Sequence, residues 1–529
     1  MNLALRVFQK AAGSAALIGL VLTALAVIPV DAGWGLIKAK ALAAGRGEPA
    51  APEASCGASL QALVDRASPR SVVNVSPCVY REAVTIRKPL TLIAQSGAEI
   101  RGSDIWSTGW KKNGEVWEHP KPLSFPEGRG RCRRGTERCL QREQAFYDGK
   151  PLVLVEANPA PGQFSVANGT LTIADDPSGH VVEVATRQRW IDIQAGGVTI
   201  QGFTMRHCVN DAQYGCIQSD DNSGVTLLEN TLSQTHGAVV GLRRGSNLKI
   251  VRNDISYGGQ IGVNLTGLTD SLIQGNRIHE NNFRNDFSSS WEAGGLKCTH
   301  SNGVSFEKND VYLNRGPGLW CDIDCQNVTY SGNRIHENET EGIEYEISHT
   351  ARIFGNLVWN NGWGFNQWGW GAGILIQNSD HSEVFNNIVA WNAHGISVIE
   401  QIRDARGGHE SQGHPVVDVY LHDNTIVIQE GFQQFSVGWL TDCPQCQLFH
   451  SESNNRGEND AHGFSGVGEA NANVRFTWDH QKYSRLEDFK ATPGGKNDRQ
   501  LSLADQNRIL SEAGIPLNPP PPPSFPEIK

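Results

Sequence analysis

Two carboxylic acid residues occupy matching positions in segments of similar sequence. Asp322 ends the segment Gly318-Leu-Trp-Cys-Asp, and Glu346, 24 residues later, ends Gly342-Ile-Glu-Tyr-Glu. If these segments are adjacent strands, the Cα atoms of Asp322 and Glu346 lie about 4.8 Å apart. Enzymes that hydrolyse glycosidic bonds with retention hold a nucleophile and an acid/base carboxyl about 5–5.5 Å apart, and repulsion keeps one of them protonated to higher pH. The spacing therefore predicts a retaining pair.

Glu344 is an alternative acid or base. It precedes Glu346 by two residues and lies diagonally from Asp322, at roughly 8 Å, if the segments are neighbouring strands. Inverting glycosidases hold their carboxyl groups about 6.5–9.5 Å apart. The spacing favours Asp322 with Glu346 but leaves Glu344 open.

Aromatic and polar residues around this pair predict an oligosaccharide or polysaccharide partner. Insertions near residues 282–294 and 362–372 carry tryptophans and enter just before the strand that bears the carboxylates, and a third, near 400–418, follows it. Tryptophan faces suit sugar rings, and polar side chains bind hydroxyl groups or orient a carboxylate. The predicted substrate-binding residues are Lys297, His300, Trp320, Asp324, His349, Trp291, Trp363, Trp368 and Trp370.

Acidic residues on a repetitive surface also have simpler interpretations. Most form a solvated face, and clustered ones bind calcium. Calcium is the one cation left open; no other metal and no cofactor is predicted, because the sequence has no phosphate-binding loop and no dinucleotide-binding glycine motif in context. The net charge of −10, without a long basic run, argues against nucleic acid as a partner.

The elements that must position these residues are repeats of 23 to 24 residues with three insertions. Each repeat predicts three short strands: one before a recurrent asparagine, one after it, and one after a glycine. Such strands bury a core only by stacking, which predicts an all-β, right-handed, single-stranded parallel β-helix of the pectate-lyase type. A leucine-rich repeat and a propeller fit the pattern less well. The asparagines predicted to be structural are Asn253, Asn276, Asn309, Asn333 and Asn356.

The periodicity divides the chain into five parts. Residues 1–45 read as a signal peptide or signal anchor, with Arg6 and Lys10 before an uncharged run, so the protein is expected to be secreted or at the cell surface. Residues 46–104 contain a cap helix and the first coils, and 105–190 an inserted β-module. Residues 191–430 hold the main stack, and 431–529 a C-terminal cap with a proline-rich tail. We expect a monomer, with membrane contact only through an uncleaved N-terminal segment.

Eleven cysteines in an exported chain predict disulfides. The close pairs leave one thiol over, at Cys298, and zinc at Cys443 and Cys446 is disfavoured because no second Cys-x-x-Cys motif exists. The pairs are Cys56/Cys78, Cys132/Cys139, Cys208/Cys216, Cys321/Cys325 and Cys443/Cys446.

The segment Gly318-Leu-Trp-Cys-Asp, followed one repeat later by Glu346-Ile-Ser-His, resembles the β-helix β-xylosidase family of glycoside hydrolases. That resemblance implies Asp322 as nucleophile, Glu346 as acid/base with His349 nearby, and a β-rich module inserted early in the helix. The chain departs from the family where Ile347-Ser348 replaces Val-Asn and Thr350-Ala351 replaces Gly-Pro, which puts the sugar specificity in question.

Two other functions remain open on such a fold. A polysaccharide lyase or uronan C5-epimerase would use Lys297 or His300 as the base, although an Arg/Lys pair in register is missing. A non-catalytic glycan-binding protein would need only the tryptophans. The fold alone does not choose among the three.

Overall fold

Each repeat forms one coil of three short strands. Ser305–Glu307, Asp310–Tyr312 and Leu319–Asp322 make up one coil, and each pairs in parallel with its equivalent in the next coil. Stacking satisfies the backbone groups that a strand of three to six residues cannot satisfy alone. The computed structural model describes residues 56–120, 125, 128–402, 414–429, 435–465 and 474–525. The predicted parallel β-helix is confirmed.

The coils stack into three parallel sheets, called A, B and C. Sheet A contains Val72–Val75, Thr91–Ala94, Thr199–Gln201, Thr226–Leu228, Lys249–Val251, Leu272–Gln274, Ser305–Glu307, Gln326–Ser331, His349–Phe354, Asp380–Phe385, Tyr420–His422 and Arg456–Glu458. Sheet B contains Val79–Tyr80, Glu99–Arg101, Thr204–Cys208, Thr231–Thr235, Asp254–Gly258, Arg277–His279, Asp310–Tyr312, Arg334–His336, Leu357–Trp359, Ile388–Ala390, Thr425–Gln429, Ala461–Ser465 and Arg499–Gln500. Sheet C contains Val84–Ile86, Ile191–Ile193, Gly215–Asp220, Ala238–Arg243, Ile261–Thr266, Gly294–Thr299, Leu319–Asp322, Ile343–Glu346, Ala372–Gln377, His394–Glu400, Val437–Thr441 and Phe476–Trp478, and ends with the antiparallel strand Gln481–Tyr483.

Buried asparagines line the corner between sheets A and B. Asn309 accepts hydrogen bonds from the backbone N–H and the amide of Asn276, both at 3.0 Å, and donates to Asn333 of the following coil. Asn253 and Asn356 continue the same ladder. The structural role predicted for these side chains therefore agrees with their contacts.

A second asparagine ladder follows sheet B and was not predicted. Asn281, Asn314, Asn338, Asn361 and Asn392 each bond to the next in the same way. The signal was present, because each of the five lies five residues after an asparagine of the first ladder in the aligned repeats.

Helices cover both ends and one side of the stack. The helix Leu60–Arg66, capped by Ser59, buries Leu60 and Val64 against the first coils. The short helix Leu486–Phe489 packs at the other end, and Leu503–Ala513 packs against the outer face of sheet B. Two 3₁₀ turns, Arg138–Leu140 and Ser451–Ser453, complete the helical structure of the described residues.

A β-module whose strand pairs are antiparallel, except for Val153–Leu154 with Gln163–Ala167, interrupts the stack, as predicted. Its four-stranded sheet has the order Lys150–Pro151, Ala145–Tyr147, Val182–Ala185, Ser103–Ile105, and its five-stranded sheet the order Val153–Leu154, Gln163–Ala167, Thr170–Ile173, Val116–Pro120, Lys111–Asn113. The two sheets enclose a core of their own, including Phe164, Leu171 and Ile173.

Four of the predicted disulfides are present and one is not. The bonds are Cys56–Cys78, Cys132–Cys139, Cys208–Cys216 and Cys443–Cys446. The prediction of a Cys321–Cys325 pair was wrong, since both are buried free thiols beside Cys298. Cys298 and Cys321 are aligned neighbours on the inner face of sheet C, so these thiols take positions in the core of the stack.

The predicted signal segment lies outside the described residues. Within the described ranges, no helix has both the length and the apolar composition needed to cross a bilayer.

Candidate active site

Asp322 and Glu346 are aligned neighbours on sheet C. Asp322 pairs with Thr299 of the preceding coil and with Glu346 of the following one, while Trp320 pairs with Glu344. The carboxylates project from the outer face of the sheet, yet Asp322 and Glu346 are each only 6% exposed. The solvated acidic face considered from sequence is therefore not what this strand presents, and burying such charges requires specific partners.

Lys297 is the charged partner of Asp322. Its Nζ lies 2.8 Å from Asp322 Oδ2 and 3.7 Å from Glu292 Oε1. The ammonium also stands 3.6 Å from the centroid of the Trp320 ring. Burial opposes the positive charge, but the attraction of Asp322 and Glu292 is larger, so the pKa of Lys297 is raised. Lys297 is thus a buried cation in direct contact with the Asp322 carboxyl group.

Glu346 receives a different kind of contact. The indole Nε1 of Trp320 donates a hydrogen bond to Glu346 Oε2 at 3.1 Å. The two aligned carboxyls therefore have different direct contacts, an ammonium group for Asp322 and an indole N–H for Glu346.

Two further glutamates surround the pair. Glu344 is buried, and burial together with repulsion from Glu341 and Glu346 raises its pKa well above the ordinary value. Burial also raises the pKa of Glu341, whose Oε1 accepts the backbone N–H of Gly371 at 2.7 Å. Both carboxyl groups therefore hold their protons to a higher pH than an exposed glutamate does.

Each carboxylate is followed by an isoleucine with a left-handed backbone. Ile323 has φ of 57° and Ile347 has φ of 46°. The aligned position has the same conformation in other coils, at Asp221, Arg244, His300 and Asn378, so the left-handed turn belongs to the coil architecture. The two isoleucines adopt it at a cost of roughly 1–3 kcal/mol because they are β-branched.

The tryptophans that the sequence assigned to the insertions lie in several different parts of the structure. Trp291 stacks near Phe287 in a cluster that includes Cys139, while the adjacent Glu292 reaches Lys297. Trp370 packs over Leu375, which is aligned with Glu344. Trp363 instead donates to the carbonyl of Trp391, behind sheet B.

Trp368 lines a cavity further along sheet C. The cavity has a volume of about 630 Å³, and its walls include Trp368, His394, Trp439 and His480. Burial lowers the pKa of His394 to about 4. The cavity lining does not include Asp322 or Glu346.

The remaining predicted polar residues lie at the turn between sheets C and A. His300 is exposed at the first of these turns. Asp324 and His349 come together with His414, which belongs to the third insertion. Residues 403–413 of that insertion lie outside the described residues. His349 Nδ1 also lies 2.8 Å from Asp380 Oδ2.

Glu292, Glu341, Asp380 and His414 belong to the site but were not predicted as site residues. Glu292 lies in the first insertion, where the repeat supplies no register, whereas Glu341 lies in an uninterrupted repeat, directly before Gly342, and was overlooked. Asp380 could have been found, because it is aligned with His349 in the next coil of sheet A.

Comparison with known proteins supports the fold. A family model described as a right-handed β-helix region matches residues 191–289 and 215–381. The solved structure of XylC in complex with xylose is 15% identical, covers 80% of this chain and 83% of its own, and superposes with a TM-score of 0.53. The A-module of the Azotobacter vinelandii mannuronan C-5 epimerase AlgE4 is 11% identical, with coverages of 84% and 94% and a TM-score of 0.48.

No curated protein sequence is similar enough to count as a relative of the chain. The repeat pattern, the three parallel sheets and the matching family model agree with one another. The protein is a right-handed parallel β-helix protein with an inserted β-module.

Proposed function

We propose that the protein is a retaining glycoside hydrolase, with Asp322 as the nucleophile and Glu346 as the acid/base. The observation that carries this proposal is the aligned pairing of two buried carboxylates on adjacent coils. The Lys297 ammonium supports an ionised Asp322, and the Trp320 indole supports Glu346.

The reaction follows from these roles. Asp322 attacks the anomeric carbon while Glu346 gives its proton to the departing glycosidic oxygen, which leaves a covalent glycosyl ester on Asp322. Glu346 then takes a proton from water, the water oxygen attacks the anomeric carbon, and the Asp322 carboxylate departs. Lys297 stabilises that carboxylate before and after the ester exists.

Three observations support a saccharide as the substrate. The chain resembles β-helix β-xylosidases in the segments that carry both carboxylates. XylC, whose fold it shares, has been solved with xylose. Tryptophan side chains line both the site and the cavity further along the same sheet.

Four disulfides support an oxidising, extracytoplasmic location.

Hydrolysis of nitrophenyl glycosides tests the proposal. The wild type should release nitrophenol from at least one of the xylosides, arabinosides, fucosides, glucosides or galactosides. Glu346→Gln should lower the rate by about 10²–10⁴-fold, and Asp322→Asn by at least as much. Asp192→Asn is the matched control, since Asp192 lies on the same sheet in an early coil. Undiminished hydrolysis by Asp322→Asn would overturn the assignment.

A covalent trap separates the retaining from the inverting reaction. A 2-deoxy-2-fluoro glycoside of the hydrolysed sugar should add one glycosyl unit to the peptide containing Asp322, as seen by mass spectrometry. Inverted product configuration by NMR, without a covalent adduct, would instead assign the acid role to Glu344, with Asp322 as the base.

The lyase and epimerase alternatives receive less support. Their base must lose its proton near neutral pH, whereas the ion pair with Asp322 raises the pKa of Lys297. Uronan-containing polymers incubated with the protein should therefore give no unsaturated uronate product, which would absorb at about 235 nm. Binding of a glycan without turnover, unchanged in Asp322→Asn, would favour a non-catalytic role.

A further inference from the structure

Three possible metal ligands meet at the turn that follows the carboxylate strands. Asp324 comes two residues after Asp322, His349 three residues after Glu346, and His414 joins them from the third insertion. One ligand atom from each residue lies within 4.8 Å of the other two. The sequence predicted Asp324 and His349 as sugar-binding residues and predicted no site for a metal other than calcium.

The distances within the group are too long for hydrogen bonds. Asp324 Oδ1 lies 3.9 Å from His349 Nε2 and 3.7 Å from His414 Nε2. Direct N–H···O bonds measure about 2.7–3.2 Å. Ligand atoms about 2.0–2.1 Å from one tetrahedral ion stand about 3.4 Å from each other. The spacing is thus near that of a shared ion.

Asp380 orients His349 for such a role. Asp380 Oδ2 lies 2.8 Å from His349 Nδ1, and its side chain is 14% exposed. A carboxylate on Nδ1 fixes the proton there and turns the lone pair of Nε2 outward, toward the Asp324 carboxylate. Two electron-rich atoms then face each other, and a cation between them removes the repulsion.

We propose that Asp324, His349 and His414 bind one Zn²⁺ ion, with Asp380 as the outer carboxylate. Two imidazoles and one carboxylate suit zinc and similar transition metals, whereas calcium takes six to eight oxygen ligands. Three protein ligands leave a position for water or a hydroxyl group. The ion ties the third insertion to the turns that follow both carboxylates. This inference does not depend on the hydrolase assignment.

Zinc binding to the full chain tests the proposal. Protein stripped with a chelator should take up one equivalent of Zn²⁺ by isothermal titration calorimetry and by metal analysis. Zinc should also raise the melting temperature, because it binds the folded state. Millimolar Ca²⁺ should neither compete nor stabilise.

Variants locate the ion. His414→Ala and Asp324→Asn should each lower the Zn²⁺ affinity at least about 100-fold, and Asp380→Asn about 10–100-fold. His422→Ala is the matched control, since His422 contacts Glu383 and Asp423 on sheet A. Cys321→Ser should leave binding unchanged and so exclude the three buried thiols as the site. If His414→Ala does not fold, Asp324→Asn decides the result.

Three outcomes would overturn the zinc site. These are absence of zinc binding at micromolar concentration, equal loss of affinity in His422→Ala, and loss of binding in Cys321→Ser with retention in His414→Ala. Failure of glycoside hydrolysis with intact zinc binding would reject the proposed function and leave the metal site standing.

Discussion

Lys297 and Asp322 form an ion pair that is almost entirely shielded from water. Their side chains are 4% and 9% exposed, and their atoms approach to 2.8 Å. Removing charges from water is costly, and a buried pair is seldom the most stable choice for its position. A requirement other than stability therefore explains why this strand keeps both charges.

Substitution of Lys297 isolates the effect of its charge. Lys297→Met should destabilise the protein by about 3–5 kcal/mol, because it leaves the Asp322 carboxylate buried without its cation. The double variant Lys297→Met/Asp322→Asn should be more stable than the single variant. Urea unfolding at pH 7 measures both. A single variant as stable as the double would show that Asp322 does not depend on Lys297.

The burial of the His394 side chain predicts that the protein loses stability in acid. Its Nδ1 accepts the backbone N–H of Phe435 at 3.1 Å, and its Nε2 lies 3.2 Å from the carbonyl of Asn366. Protonation of Nδ1 breaks the first bond, and burial lowers the pKa to about 4 from 6.5. Between pH 6.5 and 4 the His394 imidazole is protonated in the unfolded chain but not in the folded one. The contribution of His394 to the free energy of unfolding therefore falls by about 3 kcal/mol over this range.

His394→Gln should make this part of the pH profile less steep by about a third, measured by urea unfolding between pH 7 and 4. The rest of the loss should remain, because burial also lowers the pKa of His207, to about 3, and of His236. His381→Gln, at a largely exposed side chain, is the control. An unchanged slope in His394→Gln would contradict the assignment.

At this scale the sequence was informative where the repeat holds and silent where it is interrupted. The alignment of Asp322 with Glu346 follows from their 24-residue spacing, which equals one coil. The contacts of Glu292 and His414 depend on how insertions fold back onto the stack. The repeat period does not describe how the insertions fold. The alternation of polar and apolar residues along a strand shows which side chains point outward, but not whether an insertion covers them.

At the scale of elements, the asparagine ladders hold the corners of the coils. The amide of Asn309 satisfies the backbone N–H of Asn276 and the carbonyl of Ile273, at 3.0 and 2.9 Å. These groups are buried at a bend, where the sheets cannot pair them. The ladders do at the corners what strand pairing does along the sheets.

Asn309→Ala should therefore lower the free energy of unfolding by about 3 kcal/mol, since it leaves buried backbone groups unsatisfied. Asn302→Ala is the matched control, because Asn302 is an exposed asparagine of the neighbouring turn and should change stability by less than about 0.5 kcal/mol. Chemical denaturation compares the two. Equal effects would mean that the ladder adds nothing to the corners.

The cysteines show the limit of reading elements by spacing. Close pairs in sequence predicted a Cys321–Cys325 bond, but strand register also brings Cys298 beside Cys321, and the three sulfur atoms lie within 4.8 Å of one another as free thiols. Sequence spacing alone misses such a neighbour, because it lies one coil away in the stack.

At the scale of the molecule, the C-terminal segment returns along the stack. Leu510 and Ile515 pack with Trp359 and Trp391 on the outer face of sheet B. Further along, the Pro521 carbonyl accepts a hydrogen bond from the Asn360 amide at 3.1 Å. The tail predicted from sequence as a proline-rich extension thus covers coils that lie far before it in the chain.

Leu510→Ala tests whether the packing of the C-terminal segment on sheet B stabilises the protein. Loss of a fully buried leucine should cost about 2–5 kcal/mol, from lost burial and the cavity that remains. Leu503→Ala, on the same helix with a side chain 66% exposed, should have little effect. Thermal and urea unfolding give both values. A negligible effect of Leu510→Ala would mean that the returning segment is a passive appendage.

The aligned pairing of Asp322 and Glu346 has an evolutionary consequence. The distance between their Cα atoms is set by the hydrogen bonds between two coils, about 4.8 Å, and is the same wherever parallel strands meet. Natural selection cannot adjust that distance in small steps. Lineages descended from such a chain must diversify through their insertions, which can lengthen, shorten or exchange side chains, while the pair of acids stays at a constant separation beneath them.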